Sequence, residues 1–243
     1  MARDFDGTDD WLDFGDTTIM DGLTELSAGG WFFIDTTPAG GSNVSVLRKD
    51  GTATPVQLNG SDGKWNCVLW SSGIKIFNGP TFATIGTGAW VHLMATWTTG
   101  DGDVDFYING ALSVTTAGTA ASGLDLTANV LRFGATEGGG EDYNGRMAEI
   151  AFWNRELTAG EVALMGADSY CPLFVPRGLI LYTPLVRELT NRVGASPTAN
   201  GTSVLEHPRV IYPGKQQSFK PPSAAPATAV KDLISAGIIA FAR

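Results

Sequence analysis

The 243 residues predict an all-β fold, an antiparallel sandwich, on three observations. Charged residues make up only 17% and glycines number 31, a composition that denies long helices their charged faces and weakens them at each glycine. Apolar segments are short and punctuated by Gly- and Asp-rich turns. One of them, Val104-Asp105-Phe106-Tyr107-Ile108-Asn109, alternates with a period of two, the spacing of a strand with one buried face.

Local chemistry justifies each element in order. Trp31-Phe32-Phe33-Ile34 is a short apolar run of the kind a fully buried strand shows. Trp65 to Trp70 is aromatic and β-prone, and leads through Ser71-Ser72-Gly73 into Ile74-Lys75-Ile76-Phe77, a hairpin. Trp65 and Trp70 are five apart, so a regular strand points them to opposite faces. Trp90 to Trp97 follows, and the turn Thr99 to Asp103 joins it to the alternating strand. Asn109-Gly110 is a tight-turn pair that opens Ala111 to Val114. Val130 to Gly134 and Met147 to Trp153 add two strands. One short helix is predicted after Thr158, which caps it, with Glu161 completing a capping box and Val162, Leu164 and Met165 supplying apolar contacts. Leu179 to Leu185 reads as a last strand, ending at Pro184.

Composition changes sharply at Cys171-Pro172. Residues 1–172 carry 8 Lys and Arg against 22 Asp and Glu, and residues 173–243 carry 8 against 3. All seven Trp precede the change and eight of the 12 Pro follow it. The expected organisation is an acidic β-sandwich over residues 1–190, an extended Pro-rich arm over 191–227, and an apolar docking segment over 228–243. In that last segment Val230, Leu233, Ile234, Ile238 and Phe241 fall on one helical face, with Thr228 as N-cap. Such an end on a basic arm suits a partner subunit.

The net charge of −9 argues against nucleic acid as a partner. No stretch is long and apolar enough to span a bilayer as a helix. The opening residues are acidic and lack the apolar core of a signal peptide, so synthesis and folding in a cytoplasm are expected. Cys67 and Cys171 are too few and too far apart for a zinc ribbon or a CxxC pair. A disulfide is left open by their spacing, and residue statistics favour two buried thiols.

Catalytic patterns are sparse. A glycoside hydrolase needs two placed carboxylates, and the pattern Glu-x-Asp-x-x-Glu is absent. Asp101, Asp103 and Asp105 alternate in a turn and read as a solvated hairpin tip. His92 sits in an apolar strand and reads as packed. His207, before Pro208, reads as a surface residue. Glu137 to Asp142 encloses a glycine run between acids that would repel phosphate, and reads as a loop that could rim a ligand. Sugar binding asks for aromatic faces and hydroxyl-binding Asn and Asp. Trp65, Trp70, Asp142, Tyr143 and Asn144 are the candidates.

Three stretches carry a family resemblance. They are Phe5 to Leu12; Trp90 to Trp97 with Phe106 to Gly110; and Leu131 to Gly134 with Tyr143 to Ile150 and Phe152 to Thr158. Their order resembles the laminin-G-like domains of the concanavalin A-like lectin/glucanase superfamily, including its pentraxin-like branch, over about residues 1–190. The resemblance implies a jelly-roll sandwich of two antiparallel sheets. It also raises a structural calcium site, which Ala148 weakens because many relatives carry Asp just before the acidic residue that is Glu149 here. No other cofactor is expected. Val204 to Pro213, with its His-Pro and Ile-Tyr-Pro, is similar to a segment of laminin-G-like bacteriophage virion proteins. The expected function is therefore a non-enzymatic virion structural protein, a capsid decoration protein or head fibre. It would be anchored by its C-terminal tail to capsid or other virion proteins, and homo-oligomeric on the particle. The alternative is a carbohydrate-binding lectin module or adhesin.

Overall fold

A computed structural model describes residues 2–136, 141–185, 189 and 191–213. In chain order its strands are β1 (Ala2–Asp6), β2 (Trp11–Asp16), β3 (Glu25–Ile34), β4 (Asn43–Lys49), β5 (Ala53–Asn59), β6 (Lys64–Trp70), β7 (Ile74–Thr81) and β8 (Trp90–Thr98). They continue as β9 (Val104–Ile108), β10 (Ala111–Thr116), β11 (Val130–Phe133), β12 (Asn144–Trp153), β13 (Leu179–Thr183), β14 (Thr198–Asn200) and β15 (Ser203–Leu205). Among the described residues there are two α-helices, α1 (Phe82–Ile85) and α2 (Ala159–Gly166), and a 3-10 turn at Pro172–Phe174.

Alternation sorts these strands into two antiparallel sheets. The first runs β10-β9-β8-β3-β12-β1-β15, with β13 also paired to β12; the second runs β14-β2-β11-β4-β5-β6-β7. The sandwich expected from the sequence is thus present. The core lies between the sheets. On β6, Trp65, Cys67 and Leu69 point into it, while Trp70 stands opposite Ile74 on the outer face. On β8, Val91, Leu93 and Trp97 face this core, and Met94 faces a second cluster with Tyr107, Trp153, Val162, Met165, Cys171 and Tyr182. The first sheet is therefore covered on both faces, which explains why Trp90 to Trp97 reads as an almost unbroken apolar run.

The turns form where their residues predict. Asn109 and Gly110 both take positive φ, 50° and 83°, the mirror-image turn that suits strand twist. Thr158 accepts from the Glu161 amide and the Glu161 side chain returns to the Thr158 amide, so the capping box of α2 is complete. Arg155 adds two contacts to Glu161 at 2.8 and 2.6 Å, and this partner holds the Glu161 carboxyl down at about 2. Cys67 and Cys171 are both buried and unlinked, one in each apolar cluster.

The boundary expected at residue 190 lies later. One compact unit extends to Tyr212. Within what reads as an extended arm, β14 pairs with β2 and β15 pairs with β1, so three-residue strands form one edge of each sheet, opposite the edges β7 and β10. Very short edge strands of this kind blunt an edge against unwanted pairing. The apolar tail residues Val230, Leu233, Ile234, Ile238 and Phe241 lie outside the described residues.

Candidate functional site

A cleft of about 340 Å³ opens where three segments meet: Gly7, the loop Thr36–Ala39 with Ser42–Val44, and Glu141, Asp142 and Asn144. Strand pairing brings them together. Asn144 stands opposite Asp6, and the Asp35 amide donates to the Asn144 carbonyl at 3.1 Å. The Ser45 amide donates to the Glu141 carbonyl at 3.1 Å. Gly7, at φ +79°, is required here twice over: the left-handed backbone favours it, and a Cβ would lie 2.8 Å from Asn144 Cβ.

The Glu141 side chain is fixed from below. Ser45 Oγ donates to its Oε2 at 2.5 Å, and Arg48 Nη1 reaches the same oxygen at 3.1 Å. Arg48 is shared with Asp50 through Nε at 2.6 Å. The lining adds the hydroxyls and amides of Thr36, Thr37, Ser42, Asn43 and Asn144, a second carboxylate at Asp142, and the apolar Pro38, Ala39 and Val44 beside Gly7.

The five sugar-binding candidates separate. Asp142 and Asn144 line the cleft. Tyr143, between them, points the other way: it is 1% exposed, donates from its hydroxyl to the Phe33 carbonyl at 3.1 Å, and packs edge-on against Phe5. Burial pushes its phenol well above the usual range. It anchors the loop and offers no face to a sugar. Trp65 is also corrected. It is 0% exposed, donates Nε1–H to the Pro55 carbonyl at 3.0 Å, and meets Phe106 edge-to-face. Trp70 stays half-exposed on the outer face and is not among the cleft residues.

A second polar cluster escapes the sequence reading. Glu149 interrupts β12 at a register shift with φ 55°, which turns its side chain inward. There the carboxylate accepts from Tyr182 Oη at 2.5 Å, from Tyr212 Oη, and contacts His207 Nε2 at 2.8 Å. His207, expected at the surface, thus binds the segment 207–212 to the sandwich. Burial first, and then the Glu149 charge, push both phenols upward, so they remain donors. The signal was the His-Pro and Ile-Tyr-Pro of this segment, but its partner lies 58 and 63 residues away.

Two places bring together residues of the kind that ligate metals. The calcium position implied by the family resemblance does not fit a cation: Ala148 supplies no side-chain oxygen, and the Glu149 carboxylate is taken up by three side chains. Asp6, Asp9 and Asp10 bring carboxylate oxygens within 4.8 Å of one another. Two of those carboxylates brace the loop, with Asp10 accepting from the Asp6 amide and Asp6 from the Thr8 amide. The acidic turn at Asp101 is likewise built from its own bonds, Asp101 accepting from the Asp103 amide and Asp103 from the Gly118 amide. His92 is buried edge-on against Trp31, and burial lowers it to about 3.

The two sheets and their strand order define a lectin-type sandwich. The laminin G family model, described as the concanavalin A-like lectin/glucanases superfamily, matches residues 6–163, and the chain belongs to that family. Pentraxin-related protein PTX3 of Homo sapiens is 28% identical over 98 residues, 37% of this chain and 26% of its own length. The chain thus spans about a quarter of that curated relative. Among solved structures, a Bacteroides ovatus protein proposed to bind carbohydrate superposes with a TM-score of 0.63 at 16% identity, over 86% of this chain and 60% of its own. A heptameric SAP-like pentraxin from Limulus polyphemus superposes with a TM-score of 0.56 at 20% identity, over 83% and 93%. Domain 4 of an extracellular arabinanase from Geobacillus stearothermophilus, solved with arabinotriose, gives 0.50 at 19%, over 68% and 76%. At these identities the likeness is one of fold.

Proposed function

We propose that this chain is a non-enzymatic, lectin-like module that binds a saccharide in the cleft between residues 36–44 and 141–144. The observation that carries this reading is the lining itself. Hydroxyl, amide and carboxylate groups converge on one concavity, the set of partners a sugar's hydroxyls need. The arabinanase domain captured with arabinotriose has the same fold and supports it. A binding role rather than hydrolysis is favoured by the acids present. Glu141 and Asp142 are consecutive in sequence, and Glu141 is held by Ser45 and Arg48, whereas hydrolysis needs two carboxylates opposed across the bond it cuts. The test is a glycan array read with the intact chain, Asp142→Asn and Asn144→Ala. Loss of binding with unchanged unfolding supports the reading. Binding that both variants retain, or release of reducing sugar, refutes it.

A bacteriophage particle is the proposed carrier, with the module displayed as a capsid decoration protein or head fibre and held by its C-terminal segment. The segment Val204 to Pro213 favours this, because it resembles part of laminin-G-like virion proteins and is held on the sandwich by His207 and Tyr212. Assembly as a homo-oligomer belongs to the same proposal. The full chain should co-sediment with particles, and Ile234→Asp with Ile238→Asp should release it. Co-sedimentation unaffected by that double substitution would remove the anchor.

A further inference from the structure

We infer that the turn Asn200-Gly201 is a self-modification site, where the Asn200 amide is hydrolysed through attack by its own backbone and the sandwich edge loosens as the protein ages. The chain holds five Asn-Gly pairs, beginning at Asn59, Asn78, Asn109, Asn144 and Asn200. In such a pair the glycine's backbone nitrogen can reach the asparagine Cγ, because no Cβ hinders it and the backbone turns freely. The fold withholds that reaction from four of them. The Gly60 amide already donates to the Ser42 carbonyl at 2.8 Å. Gly79 is buried and wedged, since a Cβ there would meet the Trp65 carbonyl and the Phe106 ring at 2.6 and 2.7 Å. Asn109 is clamped to His92, its amide donating to the His92 carbonyl at 2.8 Å and its Oδ1 accepting from the His92 amide at 2.9 Å. Gly145 is paired on both sides, with Phe5 and with Ile34.

Asn200 and Gly201 are both exposed. Gly201 lies outside the strands with φ +70°, and its amide donates to none of the described residues. The Thr202 amide donates to the Asn200 carbonyl at 2.7 Å, which draws electrons from the peptide joining Asn200 to Gly201 and makes its N–H easier to ionise. One contact restrains the asparagine side chain, from Nδ2 to the Asp9 carbonyl at 2.7 Å. The reaction balances with water as the one co-reactant. The Gly201 nitrogen gives up its proton and bonds to Asn200 Cγ, the Cγ–Nδ2 bond breaks, and ammonia leaves with that proton. Water then opens the cyclic imide at either carbonyl, giving aspartate, or isoaspartate with the main chain rerouted through Cβ. Nothing is oxidised or reduced.

Position gives the change its consequence. Asn200 ends β14 on one sheet and Ser203 begins β15 on the other. An extra main-chain carbon between them therefore shifts both short pairings at once. A carboxylate at position 200 also loses the donor bond to Asp9. It arrives beside the carboxylates of Asp6, Asp9 and Asp10, which lie within 4.8 Å of one another, and like charges so close repel.

Peptide mass spectrometry of the full chain, aged in mildly alkaline buffer made with heavy-oxygen water, tests the inference. Asn200 should convert at least about tenfold faster than any other Asn-Gly pair, since each of those must first open locally. Its aspartate and isoaspartate products should each carry one heavy oxygen from the water. In denaturant all five pairs should convert at comparable rates. Asn200→Gln, whose longer side chain closes the ring poorly, should abolish the early product. Hydrogen exchange on the aged chain should show protection lost over residues 198–205 and kept on β3 and β8. Asn200→Asp should lose part of that protection and regain some of it at high salt. A second pair converting as fast in the native chain overturns the site, as does Asn200 converting more than about tenfold slower there than in denaturant. Conversion that leaves residues 198–205 protected overturns the loosening.

Discussion

Glu149 offers a perturbation whose size can be worked out from its surroundings. Its side chain is 1% exposed, and Tyr182, His207 and Tyr212 converge on it. Hydrogen bonds to a charged group contribute about 1.5–3 kcal/mol each, and the carboxylate's own desolvation opposes them. Removing the carboxylate leaves the buried Tyr182 hydroxyl without its acceptor, at about 1–3 kcal/mol. Glu149→Ala should therefore destabilise the sandwich by about that amount, out of a typical total of 5–15 kcal/mol. Tyr212→Phe removes a single bond and should cost about 1–2 kcal/mol. Chemical denaturation of the full chain measures both. Limited proteolysis should show early cleavage between residues 191 and 212 in Glu149→Ala, because β14 and β15 contribute only short edge pairings. A loss below about 1 kcal/mol for Glu149→Ala, or unaltered proteolysis, would refute the claim that this carboxylate holds the segment.

Three further outcomes follow from residues already placed. Trp65→Ala should cost about 3–5 kcal/mol, as for a fully buried aromatic, while Trp70→Ala should leave both stability and cleft binding nearly unchanged; denaturation and glycan titration read the two effects. His92 titrates near 3 in the folded chain because it is buried. Between about pH 6.5 and 3 the unfolded chain therefore binds a proton the native state refuses, and stability falls with falling pH by up to about 1.4 kcal/mol per unit. His92→Gln should flatten that part of the stability profile. Cys67 and Cys171 should both be inert to a thiol reagent in the native protein and both react on unfolding, since burial also raises each thiol's pKa.

The strands were legible because their signals are local. Period-two alternation at Val104 to Ile108, the Asn109-Gly110 turn and the Thr158–Glu161 box need only near neighbours to act. The parity of Trp65 and Trp70 was equally readable, and the structure puts one in the core and the other outside it. Which of them was buried depended on Phe106, a partner from the opposite sheet. Tyr143 misled because Asp and Asn flank it, while its burial is imposed by Phe5 and the Phe33 carbonyl. Residues 191–212 read as a linker because edge strands of three residues leave no apolar alternation. Glu149 stayed hidden for a similar reason. Its role depends on a backbone turn inside β12 and on donors 33, 58 and 63 residues distant.

The most direct measurement is a backbone amide chemical-shift titration of the intact chain with the tightest-binding saccharide from the glycan array. The account expects saturable shifts confined to residues 36–44, 141–144 and the turn around Gly7, with the amides flanking Trp70 unmoved. Shifts gathered on β6 and β7, or none at saturating sugar, would contradict it.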